Sequence, residues 1–168
     1  MFQWGRGNDG HADINWNPDG QTGAPVNGTT SATSSTDVPG HNMFITSVAP
    51  FADWRDSGGS LRWQGLGGIN NPCPDGFRVP TATEWYAEEG ILTDGFNPQN
   101  ATGAFNSFLK LPANGRRGSN GVLTVHVGDQ SINTSSTIGT IDTDAVKYYL
   151  ADSESKVIHT GTSRIVGM

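Results

Sequence analysis

One short segment constrains this chain more than any other. Thr81 is followed three residues later by Glu84, directly after Pro80, and the run Trp85-Tyr86-Ala87-Glu88-Glu89-Gly90 comes next. That is a capping box: the Thr81 hydroxyl accepts from the amide three residues on, and Glu84 reaches back to the amide of Thr81. The spacing predicts a helix over 81–90, ended by Gly90 in a left-handed cap, with Ala82, Trp85, Tyr86 and then Ile91 or Leu92 on its apolar face. A short turn of helix at 101–106 is the only other candidate. The rest of the core must therefore come from strands and loops.

Composition agrees. Gly, Ser, Thr and Asn account for 67 of 168 residues, while apolar residues are 34%. Such a profile disfavours helix and supplies turns. Five Trp and seven Phe nevertheless demand a core or a binding surface, so the chain is not disordered. Residues 1–20 carry aromatics among Gly, Asn and Asp and read as irregular backbone pinned by large side chains. Residues 21–40, including TTSATSSTD, read as a flexible polar loop. Strands are expected at 43–45, 61–63, 107–111, 121–127, 132–141 (broken by Gly139), 147–152, 156–160 and 164–168, forming a curled antiparallel sheet. The length suits one domain.

A net charge of −6, with Arg116 and Arg117 as the only adjacent basic pair, argues against nucleic acid. No apolar run reaches the 18 or so residues of a membrane span, so no membrane insertion is expected. The first residues lack the basic-then-apolar pattern of a signal peptide.

Catalytic signatures are lacking: there is no GxSxG, HExxH or CxxC. His11, His41, His126 and His159 are scattered, so a metal set would have to be assembled by the fold. No cofactor is predicted; the calcium candidates are Asp142 and Asp144 with Asp152 and Glu154. Asn17-Pro18-Asp19 reads as a solvated turn, and the sequons at Asn27, Asn100 and Asn133 carry little information. Cys73 is the one cysteine, so no internal disulfide can form.

The stretch NNPCPDGFRVPTATEW at 70–85 resembles the signature of a bacterial extracellular family, the Fibrobacter succinogenes major paralogous domain. FQWGRGNDGH at 2–11, STDVPGHNMFI at 35–45, DWR at 53–55, RWQGLGGINNPCP at 62–74 and LKLPANGRRGSNG at 109–121 follow that family's order. The resemblance implies an α+β, C-type lectin-like fold, also that of formylglycine-generating enzymes: a small twisted antiparallel sheet, one or two short helices and long loops. It implies that Trp4, Arg6, His11, Trp54, Arg55, Trp63, Cys73, Arg78, Thr81, Glu84 and Trp85 build the loop core. Family members begin with a strand ahead of the QWGR motif and end on a strand carrying a cysteine. By that measure 1–168 is a single domain incomplete at both ends, and Cys73 is half of a disulfide. The family's late aromatic motif is replaced here by GTIDTDAVKYYL at 139–150.

These features lead to the expectation of a non-catalytic extracellular or cell-surface domain for binding or adhesion, whose partner is a glycan or a surface protein. Tyr148, Tyr149, Arg116 and Arg117, in the divergent part, are the candidate ligand-binding residues. A structural or decoration subunit of a surface filament or virion, pairing neighbouring copies through open strand edges, is the alternative. A metal-dependent enzyme on the formylglycine-enzyme scaffold comes last.

Overall fold

The capping box closes as its chemistry requires. Glu84 N–H donates to Thr81 Oγ1 at 3.3 Å, and Thr81 N–H donates to Glu84 Oε2 at 2.8 Å. The helix it starts, α1 (Ala82–Gly95), runs past Gly90 instead of ending there. One glycine inside a helix costs about 1 kcal/mol, less than opening a run of backbone bonds, so the left-handed stop at Gly90 is not used. The computed structural model describes residues 1–20, 22–46, 53–56, 62–95, 100–107, 109–138, 145–151 and 155–158, with the backbone alone over 89–95, 124–126, 145–151 and 155–158.

A second helix, α2 (Ala101–Asn106), is capped by Asn100, whose side chain accepts from Gly103 N–H at 3.0 Å. The strand expected over 107–111 does not form. Ser107 caps the end of α2 by donating its N–H to Gly103 O, and Lys110 sits at φ 52, which reverses the chain. The strand expected over 61–63 is also absent in its described part: Arg62 and Trp63 are consecutive and both buried, where a strand would alternate.

Two small sheets lie early in the chain. Strand β1 (Ile14–Trp16) pairs antiparallel with β2 (Gly23–Pro25), and β3 (Thr29–Thr30) pairs parallel with β4 (Phe44–Ile45). The segment read as an open polar loop thus holds two short strands. It is further fastened by a bridge from Ser34, itself buried, to Arg55.

The third sheet has the order β6-β5-β7-β8-β9, built from β5 (Asn114–Arg117), β6 (Leu123–Val127), β7 (Gln130–Ile138), β8 (Ala145–Ala151) and β9 (Ser155–Ile158). It is mixed, not wholly antiparallel. The chain reverses after β6 at Gly128–Asp129, and β7 settles on the far side of β5, so β5 and β7 run parallel and meet at Gly115 and Ser131. The other pairings are antiparallel. At β7 the register with β8 shifts between Thr134 and Ile138, and side chains take over there. Trp4 Nε1 donates to Ser135 O at 2.8 Å, Trp85 Nε1 to Thr134 O at 3.3 Å, and Ser136 N–H to Pro80 O at 2.7 Å.

The apolar core gathers at this junction: Trp4, Trp63 and Val79 pack together, with Phe2, Cys73 and Ile138 against them. The result is a small mixed α/β domain of the α+β class, with few short helices and small sheets. No helix among the described residues is long and apolar enough to cross a membrane.

Candidate functional site

Buried polar groups are the first place to look for chemistry, because their solvation must be replaced by specific partners. Arg6 is fully buried. Its Nε donates to Asp9 Oδ2 at 2.7 Å, Nη1 to Gln3 Oε1 and Met43 O at 2.9 Å, and Nη2 to His41 O at 2.8 Å. His11, also fully buried, holds Asp9 Oδ1 through Nδ1 at 2.6 Å, while its Nε2 accepts from Gln3 N–H at 2.9 Å. The accepting role of Nε2 assigns the proton of the neutral ring to Nδ1.

Burial pulls the His11 pKa below the ordinary 6.5, against the opposing pull of Asp9. Burial pushes Asp9 up, but hydrogen bonds from His11 and Arg6 outweigh it and hold the carboxyl at about 2. A His–Asp pair invites comparison with a general base. Here both nitrogens of the His11 ring are committed inside the protein, so the pair locks a loop, while Asp9 itself stays partly exposed.

Arg62 is built on the same logic. It donates Nη2 to Asp53 Oδ2 at 2.8 Å and lies over the rings of Trp54 at 4.7 Å and Trp4 at 5.8 Å. Trp54 Nε1 donates to Trp4 O at 2.7 Å and Trp63 Nε1 to Arg6 O at 3.2 Å. Arg55 meets Asp37 at 3.3 Å. Arg78 grips Glu84 with both guanidinium ends, at 2.8 and 2.6 Å, and this pairing foremost holds the Glu84 carboxyl at about 2. Cys73 is half-buried against the core, and burial raises its thiol pKa, which makes it a poor nucleophile.

Arg117 requires a correction. Expected on a ligand-binding face, it is fully buried. Nε donates to Gly121 O at 2.7 Å and Nη1 to His11 O at 2.8 Å, the guanidinium lies 4.1 Å from the Phe44 ring, and Nη2 has no hydrogen-bond partner among the described residues. Burial first, then the charge of Arg6, lower its pKa to about 10. Two carbonyls and a ring face replace the carboxylate a buried cation ordinarily needs. Arg116, half-buried, stays on β5 opposite Thr124.

Tyr148 and Tyr149 lie on β8, their backbones opposite Asn133 and Ile132 of β7. Asp142, Asp144, Asp152 and Glu154 lie outside the described residues. Asn17-Pro18-Asp19 closes on Thr22, which Asn17 Nδ2 reaches at 2.8 Å and which donates to both Asp19 oxygens at 2.9 and 2.7 Å.

One surface feature brings chemistry-bearing side chains together. A groove of about 290 Å³ is lined by Phe2, Trp63, Pro72, Val79, Pro80, Trp85, Asn114, Ile132, Asn133 and Thr134. Its floor is the nearly buried Trp63, Val79, Trp85 and Ile132. Asn114, Asn133 and Thr134 supply hydrogen-bonding groups from the sheet side, and among the described residues no charged side chain lines it. The two tyrosine positions on β8 stand beside it in the register. Of its lining, the sequence had singled out only Trp63 and Trp85. Phe2 and Asn114 fall in the family-like stretches and Asn133 in a sequon, but nothing in those features points to a shared site, because only the fold brings these distant positions together. No family model, curated protein or solved structure matches this chain.

Proposed function

We propose that this is a non-catalytic binding or adhesion domain of a cell surface or the extracellular space, which recognises a glycan or a surface protein through the groove between α1 and β7. The observation that carries it is a groove whose described lining is uncharged and rich in aromatic and apolar surface, two of whose residues, Ile132 and Asn133, pair with Tyr149 and Tyr148 in the sheet. Concave sites with an apolar floor and a few convergent polar groups are where proteins hold ligands. The His11 ring, both nitrogens of which are spent inside the protein, fastens a loop, which supports the binding reading.

The family resemblance fits this reading. A C-type lectin-like domain of the Fibrobacter succinogenes major paralogous type would use the motif residues Trp4, Arg6, Trp54, Trp63, Arg78 and Trp85 to fix its loops; here Arg6, Trp54 and Trp63 tie loop to loop, Arg78 ties loop to helix, and Trp4 and Trp85 tie a loop and the helix to β7. A screen of the purified protein against a glycan array and against bacterial and host cell surfaces tests the proposal. A hit that weakens in Tyr148→Ala and Tyr149→Ala is the expected result. Absence of any hit, or a hit indifferent to both substitutions and to groove substitutions, overturns it.

A further inference from the structure

We propose that the groove takes a neutral saccharide unit, one or two pyranose rings long, an inference that rests on the binding reading above. The first support is charge. Ten described residues line the groove, and none of them is ionisable at neutral pH. The ionic residues that adjoin its lining in sequence are paired within the protein, Arg62 with Asp53 and Arg78 with Glu84 in a two-pronged pair. An anionic or cationic ligand would lose its hydration here without gaining a counter-charge.

The second support is the make-up of the lining. Phe2, Pro72, Pro80 and Trp85 bring apolar surface to the lining, and Asn114, Asn133 and Thr134 bring polar groups. A pyranose has the same two kinds of surface, with a face of C–H groups and a rim of hydroxyls. Asn114 is exposed, with both amide groups available, and Asn133 spends Nδ2 on Ser131 Oγ at 3.1 Å, which leaves Oδ1 as an acceptor.

The third support separates a sugar from an extended peptide. A proline-rich or extended peptide presents a row of carbonyls, and a groove that holds one needs several donors to meet them. Both tryptophans of this groove have already donated their indole N–H inside the protein, Trp63 to Arg6 O and Trp85 to Thr134 O. What they offer is carbon surface, which suits a C–H face. A volume of about 290 Å³ lies at the small end of ligand sites, which suits a short saccharide.

The test is a titration of the intact chain with neutral gluco-, manno- and galacto-oligosaccharides at up to about 10 mM, followed by intrinsic tryptophan fluorescence and by saturation-transfer NMR. The expected result is binding of at least one series that persists in EDTA and weakens about tenfold in Asn114→Ala, the loss of roughly one hydrogen bond, with an unchanged melting temperature. Asn133→Ala provides a second probe from the neighbouring strand. Binding that vanishes in EDTA, or that both substitutions leave intact, overturns the proposal. So does the absence of binding by every neutral series. In that last case a protein ligand sensitive to Asn114→Ala would preserve the broader binding function, whereas no groove-sensitive ligand of any kind would fell both.

Discussion

Residues 2–80 and the strands from Asn114 onward hold their backbones by different means. In the first region side chains reach carbonyls: Arg6 bonds His41 and Met43, Trp54 bonds Trp4, Trp63 bonds Arg6, and Asn70 bonds Gly5 and Asp37. In the second, neighbouring strands bond one another through five strands in one sheet. A ladder tolerates many side chains because the donors are in the backbone. Irregular loops need a particular donor at each place, so single residues there carry a disproportionate share of the stability.

The contrast breaks most sharply at Arg6. Arg6→Ala should destabilise the domain by about 3–5 kcal/mol, since it takes from Asp9 its charge partner and from Gln3 and two carbonyls their donor, and leaves a cavity where a fully buried side chain stood. Arg116→Ala, on a strand, should cost under about 1 kcal/mol. Urea denaturation of the two variants measures the gap, and equal losses would refute the distinction. Arg6→Lys should recover little of the loss, because one ammonium cannot span four separated acceptors.

Gly121 tests where the two regions meet. It has φ +78, and a Cβ there would collide with Thr29 Cγ2 of β3. Gly121→Ala should therefore cost about 2–4 kcal/mol, read as a lowered urea midpoint. A neutral result would mean that β3 is free to move away from the sheet.

Acid should loosen the loop region first. The folded His11 pKa lies below 6.5, so as pH falls below about 6.5 the unfolded chain takes up a proton that the folded one does not, and stability declines. Asp9 adds a second loss between 3.8 and about 2, worth up to about 2 kcal/mol, because its native carboxylate must be protonated. Melting temperature against pH measures both, and His11→Gln should abolish the upper decline. A flat profile from pH 7 to 4 in the native protein would contradict the buried neutral ring.

A small effect belongs to the capping box, which is local and exposed. Thr81→Ala should cost about 1 kcal/mol, measured by thermal unfolding.

How much was legible in the sequence follows the same division. Capping is a matter of neighbours, so the start of α1 could be read from Thr81 and Glu84, whereas its end could not, because Gly90 is a permissive residue and not an obligate stop. Alternation marked β6 and located β7 to β9. It missed β5, whose Asn-Gly-Arg-Arg is polar throughout, and it put Arg117 outside because nothing in one dimension shows two carbonyls and the Phe44 ring waiting for a guanidinium. The groove was the least legible part. Its walls come from positions 2, 63, 72, 79, 80, 85, 114 and 132–134, and no periodicity joins them.

The handover at Ser135 and Ser136 links the two regions. There β7 gives its hydrogen bonds to the Trp4 indole and the Pro80 carbonyl. A crack starting in the loops would leave the central strand with dangling carbonyls, and a crack starting in the sheet would strip two tryptophans of their acceptors. Neither region can open alone at low cost, so amide protons at this handover should exchange only when the whole domain opens, although they lie beside loops and not in the middle of a ladder.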